Sequence, residues 1–150
     1  MPHEPGPAHR ILVVDDDRDI RRLGAQTLIG SGFHVDVAED GAAAWDSLQL
    51  KSYDLLITDH NMPKLTGVEL VKKLRSARMA LPVIMVTGKL PTGVLAQNPA
   101  LQLAAILPKP FSCEELLGTV KEVLRATTGL REQIAPPPWQ GQPLPNGLRL

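Results

Sequence analysis

A chain of 150 residues, 43% hydrophobic and 21% charged, has the composition of one soluble globular domain with a short extension at most. A formal net charge of +0, a pI near 6.9 and an aromatic fraction of 3% give no electrostatic or stacking basis for binding nucleic acid or a membrane surface. A single cysteine, Cys113, excludes an intramolecular disulfide, and no apolar run approaches the roughly 18–20 residues that span a bilayer, so a cytoplasmic location is expected.

Residues 1–9 are rich in Pro and Gly without an apolar h-region, and are expected to be a disordered leader rather than a signal peptide. The run Ile11-Leu12-Val13-Val14 then reads as a buried strand ended by Asp15, Asp16 and Asp17, with Asp17 the N-cap of a helix. Ile20, Leu23, Gly24, Thr27 and Leu28 give that helix its inner face, and Gly30-Ser31-Gly32 stops it. Residues 33–38 alternate like a strand. Asp40-Gly41 opens a second helix with Ala44, Trp45 and Leu48 on one face.

Leu55-Leu56-Ile57-Thr58 is a second buried run, and it ends in Asp59. Thr66 and Glu69 have the spacing of a capping box before a helix carrying Leu70, Val71 and Leu74. Residues 82–86 form another apolar strand, ended by Thr87-Gly88. Residues 89–100 contain Pro91, Gly93 and Asn98-Pro99, so any helix there is short and bounded by Pro99. The fifth run, residues 103–107, leads into Pro108-Lys109-Pro110-Phe111. Ser112 and Glu115 form a second capping box, before a helix with Leu116, Leu117, Val120, Val123 and Leu124 on one face.

Five apolar strands alternating with helices imply an α/β fold: a doubly wound parallel sheet covered on both faces. All strand ends of such a sheet lie on one edge, so Asp15, Asp16, Asp59, Thr87 and Lys109 converge there. Three close carboxylates repel one another unless a cation intervenes, and hard oxygen donors suit Mg²⁺. Lys109 and Thr87 would complete a cradle for a phosphoryl group, with Asp59 as nucleophile.

These residues, in this order, resemble the receiver domain of two-component response regulators over residues 10–126. The resemblance implies the flavodoxin-like strand order 2-1-3-4-5 and a phosphoacceptor at Asp59 supplied by a sensor histidine kinase or phosphotransfer protein. It implies Mg²⁺ held by Asp15, Asp16, Asp59 and the Asn61 backbone carbonyl, with Thr87 and Lys109 contacting the phosphoryl oxygens. It also implies a cis Lys109-Pro110 peptide. The only reactions expected of such a chain are its own phosphorylation and dephosphorylation.

Two features depart from the family pattern. Ile106 stands where the family often has Tyr or Phe as a switch partner of the threonine, and residues 89–100 lack a regular amphipathic helix. With no DNA-binding output domain expected, signalling would proceed by protein contact with an unknown downstream target, and a homodimer is compatible with this.

Taken singly, the same residues have plainer readings: His60 as a solvent-facing loop residue, Cys113 as a packed small residue. A phosphohydrolase resembling the haloacid dehalogenase class, with Asp15 as nucleophile and Asp17 as acid/base, is the enzymatic alternative, although Arg18-Asp19 replace the loop that class wants. Residues 127–150 form a Pro-rich C-terminal extension. Its Trp139, Leu144, Leu148 and Leu150 favour docking, and its Pro triplet favours a solvated segment.

Overall fold

A computed structural model describes residues 9–88 and 99–134. Five strands, β1 (Arg10–Val14), β2 (His34–Ala38), β3 (Leu55–Asp59), β4 (Val83–Thr87) and β5 (Ala105–Pro108), form one parallel sheet in the order β2-β1-β3-β4-β5. Among the described residues four helices cover it: α1 (Arg18–Gly30), α2 (Gly41–Leu50), α3 (Gly67–Ser76) and α4 (Cys113–Ile134). This is the doubly wound arrangement that the strand–helix alternation predicts, in the flavodoxin-like order that the resemblance implies. The last helix runs on past residue 126. The leader, residues 89–98 and the Pro-rich segment from residue 135 lie outside the described residues, and with them the expectations for those stretches.

Alternation along each strand sends successive side chains to opposite faces. Leu12, Val14, Leu56, Val83 and Met85 pack with Ala44 and Leu48 of α2 and Leu70, Val71 and Leu74 of α3. Ile11, Val13, Leu55, Ile57, Ile84 and Val86 pack with Leu28 of α1 and Leu116, Val120, Val123 and Leu124 of α4. The central strands β3 and β4 are buried throughout, which is why they read as unbroken apolar runs.

The helix starts follow their local chemistry. Asp17 accepts from the Asp19 and Ile20 backbone N–H groups, and Asp40 from Ala43. Both capping boxes close: Thr66 with Glu69, and Ser112 with Glu115 through two 3.0 Å bonds. On α1 the inner face is Gly24, Ala25 and Leu28, whereas Leu23 is 51% exposed. The buried stripe follows Gly24 and Leu28 at i, i+4 and turns Leu23 outward, which corrects the spacing assigned from sequence.

Arg75, near the end of α3, is half-buried and donates to four backbone carbonyls: Met79 and Leu81 at 2.8 Å, Leu101 at 2.9 Å and Gln102 at 3.3 Å. Burial lowers its pKa. One guanidinium thereby ties the α3–β4 turn to the 3-10 turn Pro99–Leu101 that leads toward β5. Arg75→Met leaves these acceptors without their donor, and urea denaturation is expected to show a loss of roughly 1–3 kcal/mol.

Candidate functional site

Strand register determines which residues meet at the carboxyl edge. Val14 pairs with Thr58, so the next residues, Asp15 and Asp59, stand side by side. Asp59 pairs with Val86 and Thr87 with Pro108, which brings Thr87 and Lys109 to the same edge. Asp15, Asp59 and Thr87 are each only 4% exposed, while Asp16 is exposed. Lys109 Nζ lies 3.2 Å from Asp15 Oδ2 and 3.1 Å from Asp59 Oδ2. The Lys109 backbone N–H donates to the Thr87 carbonyl at 3.0 Å, and the Lys109-Pro110 peptide is cis, as the resemblance implied.

Burial is the largest influence on Asp15 and raises its pKa. The neighbouring Asp59 charge pushes the same way, against the Asp17 N–H and Lys109. For Lys109, burial acts to lower the pKa, but the Asp15 and Asp59 carboxylates together outweigh it and hold the ammonium above its ordinary value. Oxygen atoms of Asp15, Asp16 and Asp59 lie within 4.8 Å of one another. Among the described residues, three carboxylates against one ammonium leave formal negative charge that a hard divalent cation could balance, so this donor set fits Mg²⁺.

Strand β3 is braced from the loop that follows it. His60 N–H donates to Val86 O at 3.1 Å, and Gly67 N–H donates to His60 O at 2.9 Å. A Cβ at Gly67 would collide with the Asp59 carbonyl, with Met85 Sδ at 2.8 Å and with His60 Cα at 2.9 Å. One at Gly41 would meet Leu65 Cβ and its carbonyl oxygen at 2.6 Å. Two glycines thus let α2 and α3 close on residues 60–66. Lys64, in the left-handed region at φ 71°, reaches Asp40 Oδ2 at 3.3 Å. Asn61 lies exposed in this loop.

Two plainer readings need correction. His60 is partly buried, held by its two backbone bonds to Val86 and Gly67, and its Nδ1 is enclosed with no hydrogen-bond partner among the described residues. Cys113 is exposed at the start of α4, where its Sγ accepts from Thr27 Oγ1 at 3.2 Å. Cys113, Glu114 and Glu115 are all exposed, and burial of α4 begins at Leu116. Sequence reasoning missed Gly41, Gly67 and Arg21, the last of which donates to the Asp15 carbonyl at 2.8 Å. The dipeptides Asp40-Gly41 and Thr66-Gly67 hinted at helix starts but carried no sign of a close approach.

Fold and site together define a doubly wound α/β protein with an acidic cluster at its strand ends. The chain belongs to the response regulator receiver domain family, whose description matches residues 11–121. It is 39% identical over 121 residues to the response regulator MprA of Mycolicibacterium vanbaalenii, and 39% identical over 120 residues to that of Mycobacterium avium. Each match covers 79% of this chain and 52% of the relative, so the chain spans about half their length. Among solved structures, the chemotaxis protein CheY4 of Vibrio cholerae superposes with a TM-score of 0.73 at 34% identity, covering 78% of this chain and 99% of that one. A CheY-like receiver domain protein from Methanospirillum hungatei reaches 0.78 at 27% identity, covering 83% and 99%. No helix among the described residues is long and apolar enough to cross a membrane.

The raised Asp15 pKa has a consequence for stability. A carboxyl that binds its proton more tightly in the folded state favours folding at pH below its unfolded pKa. That contribution is lost as pH rises through the folded value. At neutral pH the Asp15 charge therefore opposes folding, and Asp15→Asn is expected to raise the melting temperature of the metal-free protein. The gain should shrink on acidification, as followed by circular dichroism between neutral and acid pH.

Proposed function

We propose that this chain is the phosphoacceptor of a two-component phosphorelay and that Asp59 receives the phosphoryl group. The observation carrying this reading is Asp59 itself: a buried strand-end carboxylate 3.1 Å from Lys109 and beside Asp15, in a member of the receiver family. An Asp59 oxygen attacks phosphorus, the P–N bond of a phosphohistidine on a sensor kinase or phosphotransfer protein breaks, and an aspartyl phosphate forms. Lys109 is placed to neutralise the phosphoryl oxygens, and the Thr87 hydroxyl to donate to one of them. Asp15, Asp16, Asp59 and the Asn61 carbonyl would hold Mg²⁺, which supplies charge neutralisation to the transferring group. Burial of the pocket strengthens each of these interactions relative to water.

The same reading makes residues 10–126 the receiver unit and confines its chemistry to Asp59. Ile106 in β5 is 40% exposed and has no ring to swing inward, so we do not route output through the family's switch aromatic at this position. We assign the output to protein contact, with a downstream protein or a second copy as the listener. A cytoplasmic site of action fits a kinase partner.

Incubation with Mg²⁺ and a small acyl or amido phosphate is expected to add one phosphoryl group by intact-mass measurement. Asp59→Asn or a metal chelator should abolish the addition. Labelling that persists in Asp59→Asn would refute the assignment. Sustained turnover of a phosphate ester, lost in Asp15→Asn but kept in Asp59→Asn, would instead make the chain a hydrolase.

A further inference from the structure

The chain turns from β1 into α1 through Asp15, Asp16 and Asp17, and this turn carries two of the three carboxylates of the pocket. Every polar atom of Asp15 is engaged. Its N–H donates to Ala38 O at 3.2 Å, its Oδ1 accepts from the Asp17 N–H at 2.9 Å, and its Oδ2 faces Lys109 at 3.2 Å. The remaining atom, the carbonyl oxygen, lies beyond the last β1–β3 ladder pair, Val14 with Thr58. Arg21 supplies its donor: Nη1 approaches to 2.8 Å. The Arg21 backbone N–H also closes the first turn of α1 on Asp17 O at 2.9 Å. One residue therefore fastens both ends of the turn, Asp15 from its side chain and Asp17 from its backbone.

We propose that Arg21 is a positioning residue for the cation site. Its guanidinium holds the Asp15 peptide so that the Asp15 and Asp16 carboxylates stay aimed at the cation they share with Asp59. The inference rests on reading that cluster as a Mg²⁺ site. Groups that orient metal ligands without touching the metal commonly matter to its affinity. Here the two roles open to an arginine predict opposite signs. As a bare charge, Arg21 repels an incoming dication, so its removal would tighten Mg²⁺ binding. As a brace, it keeps the ligands in place, so its removal loosens binding.

The test is calorimetric titration of Mg²⁺ into the full chain, at a temperature where thermal melts show every variant folded. Arg21→Met keeps the apolar stem but removes both charge and donor. It is expected to weaken Mg²⁺ binding by about tenfold. Arg21→Lys, which keeps a donor and the charge, should retain most of the affinity. Arg22→Met removes the same charge from an exposed neighbour and should leave binding unchanged or tighter. If Arg21→Met fails to fold, Arg21→Gln, which shortens the reach and removes the charge, takes its place with the same expected weakening. Arg21→Met or Arg21→Gln binding Mg²⁺ as tightly as the unaltered chain, or more tightly, overturns the positioning role alone. An unaltered chain that binds no Mg²⁺ overturns the cation site and the positioning role together.

Discussion

Two buried carboxylates, Asp15 and Asp59, share a single ammonium group, and the carboxyl edge of the sheet is built around that sharing. Among the described residues, neither carboxylate has a cation of its own. A buried charge left alone is costly, so Lys109 is what makes the buried pair tolerable, and losing it would leave both carboxylates unpaired. The cluster still carries excess negative charge once Asp16 is counted. An arrangement like this is tense at rest, and it is eased by anything that adds positive charge or removes a carboxylate's charge. A dication does the first. The proposed conversion of Asp59 to an acyl phosphate would do something different: it would replace one carboxylate charge with a larger, more extended anion in front of the same lysine.

Strand order decides who contributes what. Asp15 and Asp59 come from adjacent strands, so short side chains suffice to bring their oxygens together. Lys109 follows β5, which is separated from β3 by β4 and from β1 by two strands. With neighbouring strands about 4.8 Å apart, a short side chain at that position could not reach either carboxylate. A lysine stem can, and it does so beside Thr87, whose carbonyl holds the Lys109 backbone in place. The residue types at the edge thus reflect distance as much as charge.

Much of this was legible in the order of the residues. The apolar runs of β1, β3 and β4 are dense because both faces are covered, and each ends in a polar residue that could only point into the crevice. The capping boxes at Thr66 and Ser112 fixed two helix starts because their hydrogen bonds are local, needing only residues three apart. What escaped the sequence is what depends on contact between distant segments. Gly67 against the Asp59 carbonyl looks like any helix-start glycine, and Arg21 like any surface charge on a helix. Leu23 and Cys113 were assigned inward because their residue types favour burial, while the helix phase turned them out. Polar and steric ties across the fold leave no period in a single chain.

Helix α3 is fastened at both ends. At its start, Gly67 is pressed against the end of β3 and bonded to His60; near its end, Arg75 grips the turns before β4 and β5. A rod pinned at two points cannot pivot about either. Any displacement of residues 60–66 must then be absorbed within that loop or carried by α3 sliding as a whole, a shear rather than a hinge. In the second case the far anchor moves too, and the chain entering β5 is drawn along with it. In that case Asp59 and the sheet's outer strand would be linked through α3 and the Arg75 bonds to the backbone carbonyls of Leu101 and Gln102.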